Sequence, residues 1–226
     1  MSEHTVKAYD AELDLIGAKI AEMGGIAEKM LVDAMDALGR LDIDLAQRVL
    51  MSDPRLDALQ REIEDQVVRT IIRRQPMAID LRELMASIHI AGDLERTGDL
   101  AKNIAKRAIK VADDPRVMRA VVGLKHMAEV AAMQLKDVLD AYAQRDIERA
   151  KAVWTRDADL DALEDSIFRD LLTFMMEDPR NISFCTHLLF CAKNLERVGD
   201  HATNIAEKVN FMVTGQSLPM NRPKGD

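Results

Sequence analysis

A twelve-residue phrase occurs twice in this chain, 101 residues apart. Leu94-Glu95-Arg96-Thr97-Gly98-Asp99-Leu100-Ala101-Lys102-Asn103-Ile104-Ala105 returns as Leu195-Glu196-Arg197-Val198-Gly199-Asp200-His201-Ala202-Thr203-Asn204-Ile205-Ala206, with nine of twelve positions identical. Apolar periodicity recurs by chance in helical proteins, but a repeated set of Glu, Arg, Gly, Asp and Asn does not, so the chain reads as a duplicated unit. Upstream the offset is 104: Asp42-Ile43 matches Asp146-Ile147, Asp53 matches Asp157, Leu56-Asp57-Ala58-Leu59 matches Leu160-Asp161-Ala162-Leu163, and Asp33 matches Asp137. The drift between offsets places a three-residue deletion near the turns at Pro76 and Pro179, where length changes are tolerated.

Two units of roughly 105 residues are each long enough for a small core. Aromatic residues make up 4% of the chain, Gly and Pro are sparse, and strand-like alternation is absent, so an all-α protein is expected. A net charge of −8 argues against a general nucleic-acid surface, which works by neutralising phosphates. Residues 1–14 contain no apolar secretory core, and no apolar run approaches the roughly 18 residues of a membrane span. A cytoplasmic protein without membrane insertion is therefore expected. Cys185 and Cys191 are six residues apart, about 120° around a helix, which rules out a shared metal or a disulfide between them on one helix. Cys191 shares the stripe of Leu188 and Leu195 and reads as a small core residue.

Six long helices are expected, arranged as two tandem, pseudo-symmetric three-helix bundles. The first helix runs from Thr5 to Leu38, with Gly24-Gly25 as a bend. The second is capped by Asp42 and ends near Arg74, and the third continues to Ala112. Asp113-Asp114-Pro115 forms the internal boundary and starts the fourth helix, which ends near Ala143. The fifth spans Asp146 to Met176, and Glu177-Asp178-Pro179 turns into the sixth. The first bundle is thus assigned to residues 5–112 and the second to 115–214, as an elongated, rod-like pair. Residues 215–226 carry Pro219, Pro223 and no apolar periodicity, and are expected to form a disordered tail. Short connections make each bundle up-down-up.

Glu95 and Asp99, like Glu196 and Asp200, are four apart, which stacks two carboxylates about 40° apart on one helix face. Asn103 and Asn204 continue these lines by one turn as possible accessory groups. Asp53/Asp57 and Asp157/Asp161 repeat the spacing on the second helix of each unit. With 39 acidic residues in 226, roughly six or seven such pairs arise by chance, so a single pair carries little weight. Recurrence in register carries more, and stacked anions favour a bound cation of the hard or iron type. The alternative is solvated charge, with Arg96 and Arg197 closing surface ion pairs. For Asp53 a second alternative is an N-cap ahead of Pro54, which would leave Asp157 the cleaner candidate. Gly98 and Gly199 each cost a helix about 1 kcal/mol relative to Ala, so their matched placement implies close approach of a helix or ligand. His201 has Leu100 as its counterpart and reads as structural or incidental, and His89, His126 and His187 read as packed or solvated. The basic group Arg69, Arg73 and Arg74 suits the last turn of a helix. No Glu-x-x-His, P-loop, GxSxG or zinc-type Cys/His spacing occurs.

The duplicated Leu-Glu-Arg-x-Gly-Asp phrases, Arg74-Gln75-Pro76 with Asp80-Leu81-Arg82, and Met175-Met176-Glu177-Asp178 resemble the PhoU family, over about Ala11 to Gly215. The resemblance implies two three-helix bundles in a cytoplasmic protein that is often a homodimer. It also implies a negative regulator of the phosphate-starvation response, linking the high-affinity phosphate transporter ATPase to the sensor histidine kinase of the phosphate regulon. Multinuclear metal sites on paired E(D)xxxD motifs are implied as well, carried over to Glu95/Asp99, Glu196/Asp200, Asp53/Asp57 and Asp157/Asp161. Two departures stand out: Pro54 enters one motif, and the Gln-Pro…Asp-Leu-Arg signature is confined to the first half. If Pro54 bends its helix, the first cluster is expected to converge less well than the second. The expected function is a non-enzymatic helical adaptor; the rival is a metal-dependent enzyme or metal store built on the carboxylate clusters, and a third reading is an inert scaffold.

Overall fold

The computed structural model describes residues 3–219, and side chains from Tyr9 onward. Among the described residues every regular element is helical: α1 (Glu3–Arg40), α2 (Ile43–Arg74), α3 (Ile79–Val111), a single turn α4 (Val117–Ala120), α5 (Val122–Gln144), α6 (Ile147–Thr155), α7 (Asp157–Glu177), a 3-10 turn (Pro179–Asn181) and α8 (Ile182–Thr214). The first bundle is α1, α2 and α3; the second is α5, the pair α6 and α7, and α8. The all-α, two-bundle expectation holds.

The duplication is visible at atomic detail. Asp42 and Asp146 are equivalent N-caps, accepting from the backbone N–H of Leu45 at 2.9 Å and of Arg149 at 3.0 Å. This satisfies one of the orphan donors of each helix start. A Cβ on Gly98 would overlap Leu56, and one on Gly199 would overlap Leu160. Leu56 and Leu160 are themselves repeat partners, so each glycine admits the same leucine from the neighbouring helix. That is the close helix approach implied by the glycines' matched placement.

Both bundles lie side by side along α3 and α8, with α1 against α5. Asp93 meets His201 and Arg107 meets His187. Both residue-number pairs sum to 294, so α3 and α8 run antiparallel, as a pseudo-twofold axis requires. The length of the pair is therefore about that of one 33-residue helix, roughly 50 Å. The α2–α3 turn and the α7–α8 turn consequently lie at opposite ends.

The observed helix boundaries differ from the expected ones in several places. The fifth helix is divided at Arg156, where ψ is 6°. Gln134 of α5 donates from Nε2 to the Arg156 carbonyl at 3.0 Å, and the Arg156 guanidinium reaches Asp137 Oδ2 at 2.6 Å. In the first half Met30 stands in place of Gln134 and offers no such donor. Pro54, by contrast, lies inside an unbroken α2, and Asp53 is an interior residue, not a cap. Nor do Gly24 and Gly25 interrupt α1; the bare Cα of Gly24 accommodates Leu139 of α5. The fourth long helix begins at Val122, after the separate turn α4, and not at Pro115.

Cys185 and Cys191 are both free and buried, in line with the core reading. Of the expected tail, residues 215–219 follow a left-handed Gly215 at φ 74°, and the Gln216 carbonyl accepts from Asn210 Nδ2 at 2.7 Å. Leu218 packs on the core. Residues 220–226 lie outside the described residues.

Candidate carboxylate clusters

The first cluster forms where α2 lies against α3. Lys102 Nζ bridges Asp53 Oδ2 at 2.8 Å and Asp99 Oδ1 at 2.5 Å, joining the two helices through one ammonium. Burial alone would lower the Lys102 pKa, but its bonds to Asp53 and Asp99 outweigh that and hold it above the ordinary value. Arg96 stands 3.6 Å from both Glu95 and Asp99, and Arg61 stands 3.9 Å from Asp57. Burial raises the Glu95 pKa, and the nearby charges of Asp99 and Asp57 add to it. Asp53, Asp57, Glu95 and Asp99 thus share one neighbourhood, with a lysine at its centre.

In the second cluster the residue equivalent to Lys102 is Thr203. Its hydroxyl donates to Asp157 Oδ1 at 3.0 Å, repeating the Lys102–Asp53 link without the positive charge. The lysine here comes from elsewhere: Lys193, the counterpart of Gly92, reaches Glu196 at 3.1 Å and Glu164 at 3.7 Å. Ten residues of α8 separate Lys193 from Thr203, about 15 Å along the axis. Glu196 Oε2 is buried without a hydrogen-bond partner. Burial is the main cause that lifts the Glu196 pKa; Lys193 opposes it, and Asp200 and Glu164 reinforce it. Asp161 lies close enough to add to the charge acting on Lys193.

Among the described residues no group of three or more His, Cys, Asp and Glu side chains is gathered closely enough to hold a metal ion. The all-oxygen donor set of the second cluster suits a hard cation chemically. At the Asp53–Asp99 position the residues present do not suit one, because an ammonium already spans the two carboxylates. Beside Pro54 a direct ionic bridge links α2 to α3, through Asp53 and Lys102.

Asn103 is exposed, and Asn204 Nδ2 points to Asp93 Oδ1 across the bundle boundary at 3.4 Å. His201 Nδ1 lies 2.8 Å from the same carboxylate oxygen, and both side chains are largely buried, which is a structural role. Arg107 donates toward His187 Nδ1 at 3.2 Å and stacks over Phe190 at 4.1 Å from the ring centroid. An open cleft of about 540 Å³ adjoins the first cluster, lined by Glu64, His89, Asp93, Glu95, Arg96 and Lys208 among others. Its mixed charges favour no single ligand class. Neither Lys102, Lys193 nor the Gln134–Arg156 bond follows from the carboxylate spacing, although the Lys102/Thr203 mismatch is plain once the two phrases are aligned.

Comparison with known proteins agrees with this architecture. The PhoU domain model matches residues 20–108 and again 124–209, one copy on each bundle. A phosphate-specific transport system accessory protein PhoU homolog from Rhizobium meliloti (strain 1021) is 54% identical over 223 residues, covering 99% of this chain and 94% of that protein. A homolog of the same description from Xylella fastidiosa (strain Temecula1) is 44% identical over 225 residues, covering all of this chain and 93% of that one. The crystal structure of PhoU from Pseudomonas aeruginosa superposes with a TM-score of 0.89 at 38% identity, covering 92% of this chain and all of that one. PhoU from Streptococcus pneumoniae shares the fold, at a TM-score of 0.86 and 24% identity. With two domain matches and a pseudo-twofold pair of bundles, this chain belongs to the PhoU family.

Proposed function

We propose that this protein is an accessory regulator of phosphate-specific transport, acting in the cytoplasm as a negative regulator of the phosphate-starvation response. It couples the high-affinity transporter, through its ATPase, to the sensor histidine kinase of the regulon. The observation that carries the reading is the end-to-end likeness to accessory proteins of that transport system, at up to 54% identity. No helix among the described residues is long and apolar enough to cross a membrane. Contact with membrane partners would therefore be made by docking surfaces.

Two features support docking. Helices of 32 and 33 residues offer long faces for binding. The chain also exposes apolar side chains at equivalent positions near the two opposite turns: Val68, Ile72 and Leu81 in the first half, and Leu172, Met176 and Ile182 in the second. Solvent-facing apolar residues cost solubility, so their recurrence in register suggests surfaces covered by a partner. A homodimer belongs to the same reading, and sedimentation at several concentrations tests it.

The reading also assigns a divalent or iron-type metal ion to Asp157, Asp161, Glu196 and Asp200. The oxygen-only donors and the orphaned Glu196 Oε2 support this. When bound, the ion would supply positive charge that fixes the helix faces around it. Metal analysis of protein purified without chelator tests the assignment. The rival enzyme or metal-store reading gains no support, since the family's described relatives are accessory proteins.

Deletion of the gene is expected to switch starvation genes on in phosphate-rich medium. Glu196→Ala with Asp200→Ala is expected to weaken repression while circular dichroism stays helical, because removing a buried carboxylate whose Oε2 has no hydrogen-bond partner takes away no bond at that oxygen. Full repression in the deletion strain sinks the regulatory reading; full repression in the double variant alone sinks the role given to that cluster.

A further inference from the structure

We propose that Lys102 is the resident cation of the first carboxylate cluster, so that this half of the molecule takes up no divalent metal ion. The inference rests on the reading of the clusters as cation-binding surfaces, and it makes the two halves unequal in a way the duplication hides.

The geometry is specific. An ammonium carries three donors, and here two of them are matched to carboxylate oxygens from two different helices. Lys102, Asp53 and Asp99 are all at least two-thirds buried, with side-chain exposures of 21%, 17% and 31%. Charges sheltered from water are screened weakly, so removing the ammonium would leave Asp53 and Asp99 facing each other as uncompensated anions. A metal ion entering between them must first expel a lysine that is hydrogen-bonded to both carboxylates.

The second half serves as an internal control. Thr203 takes the same place on the repeat and reaches the same partner, Asp157, with a neutral hydroxyl. At this position the linking group is charged in one half and neutral in the other, so a threonine in place of Lys102 should open the first cluster to a cation.

Full-length protein stripped of metal is titrated with Mn²⁺ and followed by calorimetry, by paramagnetic resonance and by thermal unfolding. Lys102→Thr is expected to unfold at lower temperature than the parent in chelator, to recover on adding Mn²⁺, and to bind one further Mn²⁺ per chain. Adding Asp53→Asn to Lys102→Thr should abolish that further ion. Asp53→Asn in the parent should leave the Mn²⁺ stoichiometry unchanged, an arm that does not depend on the Lys102 variant folding. A parent stoichiometry that falls with Asp53→Asn overturns the proposal, as does a folded Lys102→Thr that binds no more Mn²⁺ than the parent. The metal reading of the second cluster is judged separately, by whether Glu196→Gln removes Mn²⁺ from the parent. A parent that binds no Mn²⁺ beside a Lys102→Thr that gains an ion sinks that reading and upholds this one.

Discussion

Glu196 carries its charge at a site that resists it. Burial, with Asp200 and Glu164 adding to it, outweighs Lys193 and lifts the carboxyl above its ordinary 4.5. A folded pKa above the unfolded one means that the fold holds the proton more tightly. Stability therefore falls as pH rises from the ordinary carboxyl range through the raised folded pKa. Glu196→Gln removes that loss, so the variant should gain about 0.5–1 kcal/mol at pH 7. Below the unfolded pKa both side chains are neutral and the gain should vanish. Thermal unfolding at pH 7 and pH 4 makes the comparison, and a variant less stable than its parent at pH 7 contradicts it. Part of this scale was legible in the sequence: identities between the repeats place the carboxylate pairs at matching points on two helices of each bundle. What was not legible lies in their three mismatches. Thr97/Val198, Leu100/His201 and Lys102/Thr203 decide which hydroxyl turns back on its own helix, which side chain bridges the bundles, and which cluster holds an ammonium. Spacing reports which face a residue occupies; the charge opposite it comes from another helix and from packing.

Helix boundaries show the same division between local and tertiary causes. The Asp42 and Asp146 caps were readable because a cap is a local device, completed within three residues. The interruption at Arg156 was not, because its cause is Gln134, twenty-two residues away on another helix. Pro54 shows the same competition: its local penalty is real, but α2 continues through it, with buried residues from Ala46 to Thr70 facing the bundle. The glycine–leucine contacts give this scale its prediction. In Gly199→Ala the new methyl must push Leu160 aside and crowd Gln134 Oε1 at 3.4 Å. Overpacking of that kind should destabilise by about 1–2 kcal/mol. In a Leu160→Ala background the overlap is gone, Gln134 Oε1 at 3.4 Å is an ordinary contact, and the helix preference of alanine over glycine prevails. There the same substitution should stabilise by roughly 0.5–1 kcal/mol. Urea unfolding of the four proteins forms a double-mutant cycle, and a change of the same sign in both backgrounds shows that the glycine is not kept for Leu160.

For the whole molecule, the decisive feature is that the bundles share a long antiparallel boundary and are not beads on a string. The repeat alone leaves their relation open, since two tandem bundles can be joined end to end or side by side. The pairings of Asp93 with His201 and Arg107 with His187 settle it, because they tie α3 to α8 fourteen residues apart along the helix. Much of the α3 surface is buried, including residues from Leu84 to Val111, so a bundle deprived of its neighbour would expose apolar surface to water. Such surface couples the halves thermodynamically: one cannot unfold without weakening the other, and the molecule should unfold as one cooperative unit although it contains two repeats. A single residue makes this measurable. Trp154, the only tryptophan in the chain, is buried in α6 of the second bundle, within 3.4 Å of Glu207. Its fluorescence reports the second bundle alone, whereas the helical circular dichroism signal reports both. In urea the two transitions should coincide in midpoint and slope. Arg107→Ala removes the bond to His187 and the stacking on Phe190, and leaves a gap in the boundary. It should lower the common midpoint, by about 1–3 kcal/mol of stability, while keeping the two probes together. Separation of the fluorescence and dichroism curves in the parent protein would mean that the repeats are independent folding units and that the shared boundary couples them weakly.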